Sequence, residues 1–544
     1  MILSELRSLI LHWLEDQALL QDPRSNLDSE RDQPAFKVTG DPPSGRRLFS
    51  NLRMSYGDEP DYIQQKLKQL KRLTDRFDQC FGDGPVWILR APARINILGE
   101  HVDYVSYLPT ASLTFGSCEH DMLMVFRPSG DSSIRGVSSL QTYPDFCFEL
   151  SEGPRLGEEG GVELDWASYL FSRPAPVPHW ANYTKGAVFF ALKKYGRQVQ
   201  QGFNFLVDSS IPAGGGASSS STLTVLAGAA IRRVNNLAFS AAELALDSAQ
   251  AEWFLGTRGG DMDHRTICLS RSQHFVHLSY DEPQDEVIAL PRNDFRWVTF
   301  FSHAADKGRE VMLEYNERAA VSRLLIPAMI LDWSVSRPLM YNTWKEAVEG
   351  IRQYSEEAFA TAEELLSELP QTTSLREVEK RYPSAFDECE RAFPALVGER
   401  KERPLKVRSR ALHHLGEIRR VRAARETLRA MEGFPQKEAI ESAMRQLGRL
   451  LGKSHKSLRD LYDVCTPEVN RLVEIIDASP ATYGARLMGG GFGGNILTLT
   501  TREHTGQLIR LVQSEFYSRQ GIDGLRDGAI MLSTPGDGLS ELTI

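Results

Sequence analysis

Three glycines and four serines, within Gly214 to Ser221, lie between two segments with regular patterns. Phe203 to Asp208 alternates apolar and polar residues, which predicts a half-buried strand, and Leu223 to Arg232 is rich in leucine and alanine, which predicts a helix. Glycines let a backbone approach a ligand closely. Serines at a helix start add hydroxyls to free N–H groups and the positive end of the dipole. The stretch therefore predicts a phosphate-binding loop.

A flexible Gly/Ser linker has the same composition, but a linker is not expected between a strand and an adjoining helix. No Gly-Lys-Ser/Thr ends the loop, so it is not a Walker A sequence. The candidate phosphate-binding residues are Gly214, Gly215, Gly216, Ser218, Ser219 and Ser220.

The length, net charge and cysteine content of the chain argue against several classes of protein. A chain of 544 residues predicts two or more domains. The net charge of -9 argues against nucleic acid or an anionic membrane as a partner. Six scattered cysteines without a CxxC pair argue against a zinc or redox site and favour a reducing, cytoplasmic compartment. Acidic residues near the N-terminus argue against a signal peptide, and we expect no membrane-spanning run.

Residues 1–59 are predicted to be an N-terminal extension. Leu3, Leu6, Ile10, Trp13 and Leu14 mark an amphipathic helix. This helix is expected to dock on the main body, with a partner protein or self-association as alternatives. Removal of the extension is expected to leave the rest of the chain folded.

Two further clusters carry polar side chains next to glycines. Arg94, Glu100, His101 and Asp103 surround Gly99 and predict either a pocket for a hydroxylated ligand or a surface ion-pair cluster. Later in the chain, Asp261 and Asp263 follow a glycine turn. They are candidates for a base and a metal ligand, or for a cap of the next helix. Six glycines between Gly484 and Gly494 indicate another close backbone approach before a strand at 495–500.

Three of these stretches, in this order, resemble the motifs of the GHMP kinase family, and within it the galactokinase group. They are RINILGEHVDY at 94–104, PAGGGASSSSTL at 212–223 and GARLMGGGFGG at 484–494. The resemblance covers residues 60 to 544. It implies a two-domain α+β fold with a ribosomal-protein-like N-terminal domain (60–300), a ferredoxin-like C-terminal domain (301–544) and an active site in the cleft between them.

The resemblance also implies roles for individual residues. The activity would be transfer of the γ-phosphoryl group of ATP to the anomeric hydroxyl of a galactose-like monosaccharide. Asp263 matches the catalytic aspartate, as a general base or an electrostatic positioner, and Arg94 its partner. Ser220 and Glu252 match the Mg²⁺ ligands. The positions that match sugar-binding residues are Glu100, His101, Asp103, Gly260 and Tyr315.

The chain departs from the family pattern near the sugar positions. Val105, Ser106 and Tyr107 replace the usual Asn-Gly-Gly, and Asn470 stands where the galactokinase group tends to have an aspartate. Asp261 replaces an apolar residue, and alternation in an extended loop would point it the same way as Asp263, into the cleft or towards solvent. Arabinose, fucose, galacturonate or a heptose are therefore alternative substrates.

Two other functions stay open at this point, a mevalonate-type kinase and a non-catalytic sugar sensor. Glu100, His101 and Asp103 argue against the first, and intact catalytic and metal positions argue against the second. The adjacent His413 and His414 point to different sides of a helix, which argues against a shared metal. The sequence leaves the oligomeric state open.

Overall fold

The fold was analysed in a computed structural model of the chain. Most of the predicted N-terminal extension lies outside the described residues. The structure describes residues 2–15, 52, 56, 60–155, 157, 165–173, 176–212, 214–256, 258–281, 285–290, 294–304, 308–433, 436–520 and 528–542.

The strands form two main sheets and one short pair. The first sheet has nine strands in the order β15-β1-β2-β5-β3-β4, with β14 and the β6–β7 pair also joined to β2. The second has the order β11-β12-β8-β13, and β9 pairs with β10. The strands are β1 (Trp87–Leu98), β2 (Ala111–Pro128), β3 (Ser133–Ser138), β4 (Phe146–Glu149), β5 (Phe203–Ser209), β6 (His274–Ser279), β7 (Glu286–Ala289), β8 (Phe295–Phe301), β9 (Thr372–Thr373), β10 (Leu405–Lys406), β11 (Thr482–Met488), β12 (Asn495–Thr501), β13 (Ile530–Ser533), β14 (Pro535–Gly536) and β15 (Ser540–Glu541).

Helices cover both sheets and form a separate helical region between them in the chain. The helices whose bounds the structure defines are α1 (Leu3–Glu15), α2 (Pro60–Phe81), α3 (Trp166–Phe171), α4 (Ala181–Tyr195), α5 (Ser219–Val234), α6 (Ala241–Glu252), α7 (Met262–Leu269), α8 (Arg309–Ala320), α9 (Ile326–Ser336), α10 (Pro338–Arg352), α11 (Glu356–Ser367), α12 (Leu375–Arg381), α13 (Pro383–Ala392), α14 (Pro394–Arg400), α15 (Arg408–Arg429), α16 (Lys437–Ser457), α17 (Pro467–Asp477) and α18 (Arg502–Val512).

The first sheet is buried on both faces because its strands carry apolar residues at odd and even positions. Met124 and Phe126 of β2 face a core built with α4 and α5, whereas Leu123 and Val125 face α1 and α2. This alternation follows from the period of two along a strand. β5, which the sequence predicts to be half-buried, is likewise buried on both faces over residues 203–207. Helices α1 and α2 pack on one face of the first sheet, and α5 and α7 pack on the other. The candidate site lies on α5 and α7.

The helical region of α8 to α15 has its own core. α8 and α9 are joined by a π-helical turn, Val321–Leu325, into a run from Arg309 to Ser336. By length and composition this run could cross a membrane, but 56% of its most apolar window is buried within the protein. That burial is typical of a core helix.

The strand pairing refines the predicted division at residues 300 and 301. β8 pairs with β12 and β13 in the second sheet, whereas β14 and β15 return to the first sheet and pair with β2 and β1. The last described residues are therefore part of the N-terminal layer. The domain boundary itself stays a prediction.

One segment differs from its sequence interpretation. The turn residues and acids of 129–176 predict surface excursions, but the segment contains β3 and β4 and the buried side chains of Trp166 and Tyr169 in α3. β3 pairs in parallel with β5. Its sequence, SIRGVS, has neither an apolar run nor clear alternation, and tertiary pairing overrides that weak local preference.

Helix α1 docks on the body of the protein, which is the first of the alternatives that the sequence leaves open. Leu3, Leu6 and Ile10 have no exposed surface. Arg7 pairs with Asp75 of α2 at 2.7 Å, on the rim of the contact. Because α1 completes the outer face of the first sheet, its removal would expose apolar surface, and this argues against an appendage that the fold does not need.

Leu6→Ala is expected to destabilise the protein because it leaves a cavity in this core. Large-to-small changes of this kind cost about 2–5 kcal/mol, so the apparent unfolding midpoint should fall. Leu11→Ala, in the same helix but at a residue that is 41% exposed, is the matched control and should change stability by less than about 0.5 kcal/mol. Equal midpoints for the two variants would contradict the docked position of α1.

Candidate active site

The predicted phosphate loop is a turn between β5 and α5. Gly214 and Gly216 have φ of 75° and 76°, and Ser218, just before the helix, has φ of 61°. α5 begins at Ser219, so the free N–H groups of its first turn lie at the end of the loop. Ser219, Ser220 and the neighbouring Ser221 line a large cavity. This arrangement suits an anion.

The loop is held between the two sheets by backbone contacts. Arg94 of β1 donates from its guanidinium to the Gly216 carbonyl at 2.9 Å, and Asn495 N donates to the Gly215 carbonyl at 3.0 Å. A Cβ at Gly216 would lie 2.8 Å from the Met488 carbonyl oxygen. The second and third glycine-rich motifs therefore touch each other, and only residues without a side chain allow this approach.

Asp263 lies in the first turn of α7 and faces the same cavity. One carboxylate oxygen accepts from Arg94 Nε at 2.6 Å and the other accepts from the Ser218 hydroxyl. Burial opposes ionisation, but Arg94 and Ser218 together hold the pKa of Asp263 below its ordinary value. The structure thus brings the predicted catalytic pair into direct contact and keeps the carboxylate ionised.

Glu252 lies at the C-terminal end of α6 next to the serines. Its Oε2 atom accepts from the Ser221 hydroxyl at 2.9 Å and lies 2.9 Å from His264 Nε2. The family resemblance pairs Glu252 with Ser220, and Ser220 also lines the cavity, but the direct contact is with Ser221. Sequence reasoning missed Ser221 because the four consecutive serines offer no local sign of which hydroxyl meets which partner.

The loop after β1 brings the predicted sugar residues to the opposite wall of the cavity. His101 adopts a left-handed backbone conformation, with φ of 60°. Its Nδ1 atom lies 2.9 Å from the Tyr104 hydroxyl, and its buried Nε2 atom has no hydrogen-bond partner among the described residues. Burial lowers the pKa of His101 to about 4, so the ring is neutral. His101 lines the cavity, although its Nε2 atom is itself buried.

Asp103 and Gly260 meet closely on this wall. A Cβ at Gly260 would lie 2.3 Å from Asp103 Oδ2, so the two loops fit only with glycine at this position. The carboxylate accepts from Met262 N at 3.3 Å. Burial, followed by the charges of Asp261 and Asp263, raises the pKa of Asp103 to about 7.

Tyr315 and Glu100 complete the wall with different partners. Tyr315, in α8, has its ring centroid 6.0 Å from that of His101. Glu100 is mostly occupied by protein, because its Oε2 atom accepts from Arg486, from Asn96 Nδ2 at 3.0 Å and from Gly489 N at 2.9 Å. Glu100 therefore fixes the third glycine motif to the sugar loop. Arg486, within that motif, is a partner that the sequence analysis did not single out.

The side chain of Asp261 does not point the same way as that of Asp263, contrary to the sequence prediction. α7 begins at Met262, so the two aspartates are not alternate residues of an extended loop. Asp261 pairs with Arg265 at 3.7 Å, whereas Asp263 contacts Arg94. The charge of Asp261 nevertheless affects the cavity, because it contributes to the raised pKa of Asp103.

Most of the candidate residues line one cavity of about 1590 Å³, but Gly214, Gly215, Gly216 and Ser218 are not among its lining residues. Arg94 and Asp263, which contact each other, line the same cavity as the serines at the start of α5 and the wall formed by His101, Asp103 and Tyr315. The cavity is also lined by apolar and aromatic side chains, which include Leu140, Tyr143, Val177, Trp180 and Ile211.

Comparison with known proteins shows which domains the chain contains. Three family models match: GHMP kinases N terminal domain over residues 182–271, the galactokinase galactose-binding signature over 75–111, and GHMP kinases C terminal over 436–518. The chain has the N- and C-terminal domains of the GHMP kinases. The N-terminal match contains the glycine loop, Glu252 and Asp263, and the signature contains the loop with His101.

Relatives and a solved structure agree with these domain matches. The chain is 29% identical to galactokinase from Homo sapiens over 459 residues, 83% of this chain and 94% of the relative. It is 25% identical to galactokinase from Roseiflexus sp. (strain RS-1) over 472 residues, 86% and 96% of the two chains. The crystal structure of Lactococcus lactis galactokinase complexed with galactose superposes with a TM-score of 0.61 at 22% identity, covering 87% of this chain and 99% of that chain. This likeness confirms the predicted two-domain GHMP kinase fold.

Gly260→Ala is expected to weaken binding at the sugar wall because the new methyl group must displace Asp103. Gly259→Ala is the matched control, since its Cβ would meet only the Tyr315 hydroxyl at 3.5 Å, an ordinary contact. Sugar affinity, measured by calorimetry, should fall by about tenfold or more in the first variant and much less in the second. Similar affinities in both variants would contradict the close fit of Gly260 and Asp103.

Asp103 predicts a pH dependence of stability. Its pKa is about 7 in the folded protein against an ordinary value of 3.8, so the folded state retains a proton that the unfolded chain releases. Stability contributed by this group is lost as pH rises between these values. Asp103→Asn should therefore raise the unfolding midpoint at pH 8, and the gain should shrink towards pH 4. A gain that is constant with pH would contradict this interpretation.

Proposed function

We propose that this protein is an ATP-dependent sugar 1-kinase that phosphorylates the anomeric hydroxyl of galactose or a galactose-like monosaccharide. The observation that carries the proposal is the ionised Asp263, held by Arg94 and Ser218 between a phosphate-type loop and a polar pocket. The relatives named galactokinase, which the chain matches over more than four-fifths of its length, support the same activity.

The proposed chemistry depends mainly on alignment and charge. Phosphoryl transfer requires the acceptor oxygen, the phosphorus and the leaving oxygen to lie in line, with the developing charge neutralised. Asp263 is placed to accept the proton of the anomeric hydroxyl, which is more acidic than an ordinary alcohol. Its two existing hydrogen bonds leave lone pairs for that contact. Arg94 keeps the carboxylate ionised and adds positive charge near the phosphates.

The phosphates of ATP would lie on the start of α5. Ser219 and Ser220 would add hydroxyls to the free N–H groups of the first turn of α5, and Gly214, Gly215, Gly216 and Ser218 would shape the loop that presents them. The apolar and aromatic lining residues suit the base, because ligand pockets are mostly apolar with a few polar contacts.

The residues present also fit a magnesium ion. Glu252 and Ser220 provide oxygen atoms at the cavity, and the contact of Glu252 with Ser221 brings a further oxygen to the same point. An all-oxygen set is what this hard cation prefers. When bound, magnesium would neutralise charge on the phosphate oxygens. His264, at 2.9 Å from Glu252, would orient that carboxylate.

The pocket wall would recognise sugar hydroxyls through mixed donors and acceptors. Asp103 and Tyr315 provide oxygen atoms, His101 provides a free ring nitrogen, and Gly260 leaves the space. Glu100 contributes chiefly by holding this wall against the third glycine motif. We place the enzyme in the cytoplasm, without a nucleic-acid or membrane partner, on the charge and cysteine pattern.

A sugar screen tests the proposal. Galactose, arabinose, fucose, galacturonate and a heptose are each incubated with ATP and magnesium, and ADP release is measured. We expect release to depend on galactose or a close analogue and the product to lose its reducing end, because the phosphate blocks the anomeric carbon. Sugar-independent ADP release, or a product that is still reducing, would overturn it.

Asp263→Asn is expected to lower kcat by at least about 10²-fold, since the amide cannot accept the proton as a base. Binding of a nucleotide analogue should be retained, because Asp263 lies beside the loop rather than within it. Turnover is followed by ADP release and nucleotide binding by calorimetry. Undiminished turnover would remove the role assigned to this carboxylate.

A further inference from the structure

Asn495, the first residue of β12, directly follows the third glycine-rich motif and carries a buried amide without partners. The residue has no exposed surface, and neither its Oδ1 nor its Nδ2 atom makes a hydrogen bond among the described residues. Its backbone N–H, in contrast, donates to the Gly215 carbonyl at 3.0 Å. Buried polar groups without partners cost free energy and are rare in folded proteins. The amide of Asn495 therefore needs a physical explanation.

This amide lies against the middle glycine of the phosphate loop. A Cβ at Gly215 would lie 2.9 Å from Asn495 Nδ2 and 3.5 Å from its Oδ1, and its three nearest neighbours would all be atoms of that amide. Gly214 and Gly216 have positive φ, which explains glycine at both positions, whereas Gly215 does not. Glycine at position 215 is therefore explained by the close approach of Asn495.

The carbonyl groups of the loop differ in their hydrogen bonds. The carbonyls of residues 215–217 each accept a hydrogen bond from Arg94 or Asn495, at 2.9 to 3.2 Å. The carbonyl of Gly214 accepts none within the part of the chain that the structure describes. It belongs to the peptide unit that joins Gly214 to Gly215, and a peptide unit between two glycines can rotate at little steric cost.

The orientation of this peptide unit matters for an anion because its carbonyl and its N–H group point in opposite directions. When the Gly214 carbonyl turns towards Asn495 Nδ2, the Gly215 N–H points away from Asn495. That N–H can then join the free N–H groups at the start of α5 in holding one anion. Gly214 and Gly215 do not line the cavity in the structure, so a rotation of this kind would present their N–H groups to a ligand.

We propose that Asn495 is a positioning residue for the phosphate loop, whose Nδ2 atom donates to the Gly214 carbonyl when a nucleotide phosphate binds. The identity of the ligand rests on the proposed function. Binding then satisfies the phosphate oxygens and the buried amide together. The unsatisfied amide lowers the stability of the protein before binding and strengthens binding itself. The third glycine-rich motif thereby orients backbone donors that belong to the second.

Asn495→Leu tests this role, because leucine has a similar size and no polar atom. Without nucleotide, the apparent unfolding midpoint should rise by about 1–4 °C, since an unsatisfied buried group is removed. Affinity for β,γ-imido ATP, measured by calorimetry, should fall by about fivefold to twentyfold, because the loop loses the contact that orients it. Affinity for galactose should stay within about twofold.

Thr498→Val is the matched control. Thr498 lies in the same strand, has no exposed surface, and its hydroxyl also lacks a partner among the described residues. Its strand neighbours are Ala485 and Val298, which are not part of the phosphate loop. This variant should also raise the unfolding midpoint, but its affinity for β,γ-imido ATP should stay within about twofold. Higher stability together with weaker nucleotide binding is thus expected of Asn495→Leu alone.

A crystal structure of the unmodified protein with β,γ-imido ATP locates the contact directly. We expect Asn495 Nδ2 to lie within about 3.2 Å of the Gly214 carbonyl oxygen. The Gly215 N–H should point to a phosphate oxygen. An amide of Asn495 that contacts only water, or a Gly214 carbonyl that still points away from it, would overturn the proposal.

The outcomes separate this proposal from the proposed function. Unchanged nucleotide affinity in Asn495→Leu, while the unmodified protein phosphorylates a sugar, would overturn the role of Asn495 and leave the kinase activity standing. A lower unfolding midpoint in this variant would show that the amide already has partners, and it would also overturn the role. If nucleotide binds but no sugar is phosphorylated, the calorimetry still decides the role of Asn495. If the unmodified protein binds no nucleotide, both proposals are wrong.

Discussion

The buried ion pair between Glu100 and Arg486 is the contact on which the rest of the site depends. Neither side chain is exposed by more than 3%. Glu100 follows β1 of the first sheet and Arg486 lies in β11 of the second, so the pair joins the two sheets directly. Loss of one partner from such a pair costs about 3–5 kcal/mol, because the other charge stays buried.

A second carboxylate steadies this pair from the helical side. Glu417 of α15 accepts from Gly99 N at 3.0 Å and from the Ser454 hydroxyl at 2.7 Å, and Arg486 lies 3.7 Å away. Burial opposes its ionisation, but positive neighbours led by Arg420 hold the pKa of Glu417 at about 2. The turn at Gly99, which presents the sugar loop, is thus fixed by charges from three layers of the protein.

Local sequence patterns predicted the elements that hold the phosphate loop. The alternation in 203–208 and the leucine- and alanine-rich run that follows correspond to β5 and α5, and the strand predicted at 495–500 is β12. The sequence analysis did not predict β3, because its stability comes from packing. A Cβ at Gly136 would lie 2.5 Å from the Phe146 ring, so this glycine is required by aromatic neighbours that lie far away in the sequence.

The motifs predicted which residues lie near one another, but not which contacts each of them makes. The partners of Glu252, Glu100 and Tyr107 depend on how distant sheets and helices pack.

Asp103 and Asp263 line the same cavity, but their pKa values are shifted in opposite directions. Both Asp103 and Asp263 lie in the same acidic surroundings, but only Asp263 contacts a guanidinium and a hydroxyl. Its pKa is therefore lowered, while burial and the charges of Asp261 and Asp263 raise that of Asp103. Near neutral pH Asp263 is therefore a proton acceptor, whereas Asp103 holds its proton more strongly than an ordinary carboxyl. The difference between the two pKa values comes mainly from Arg94, which contacts Asp263. The side chain that supports the phosphate loop therefore also sets the pKa of Asp263 apart from that of Asp103.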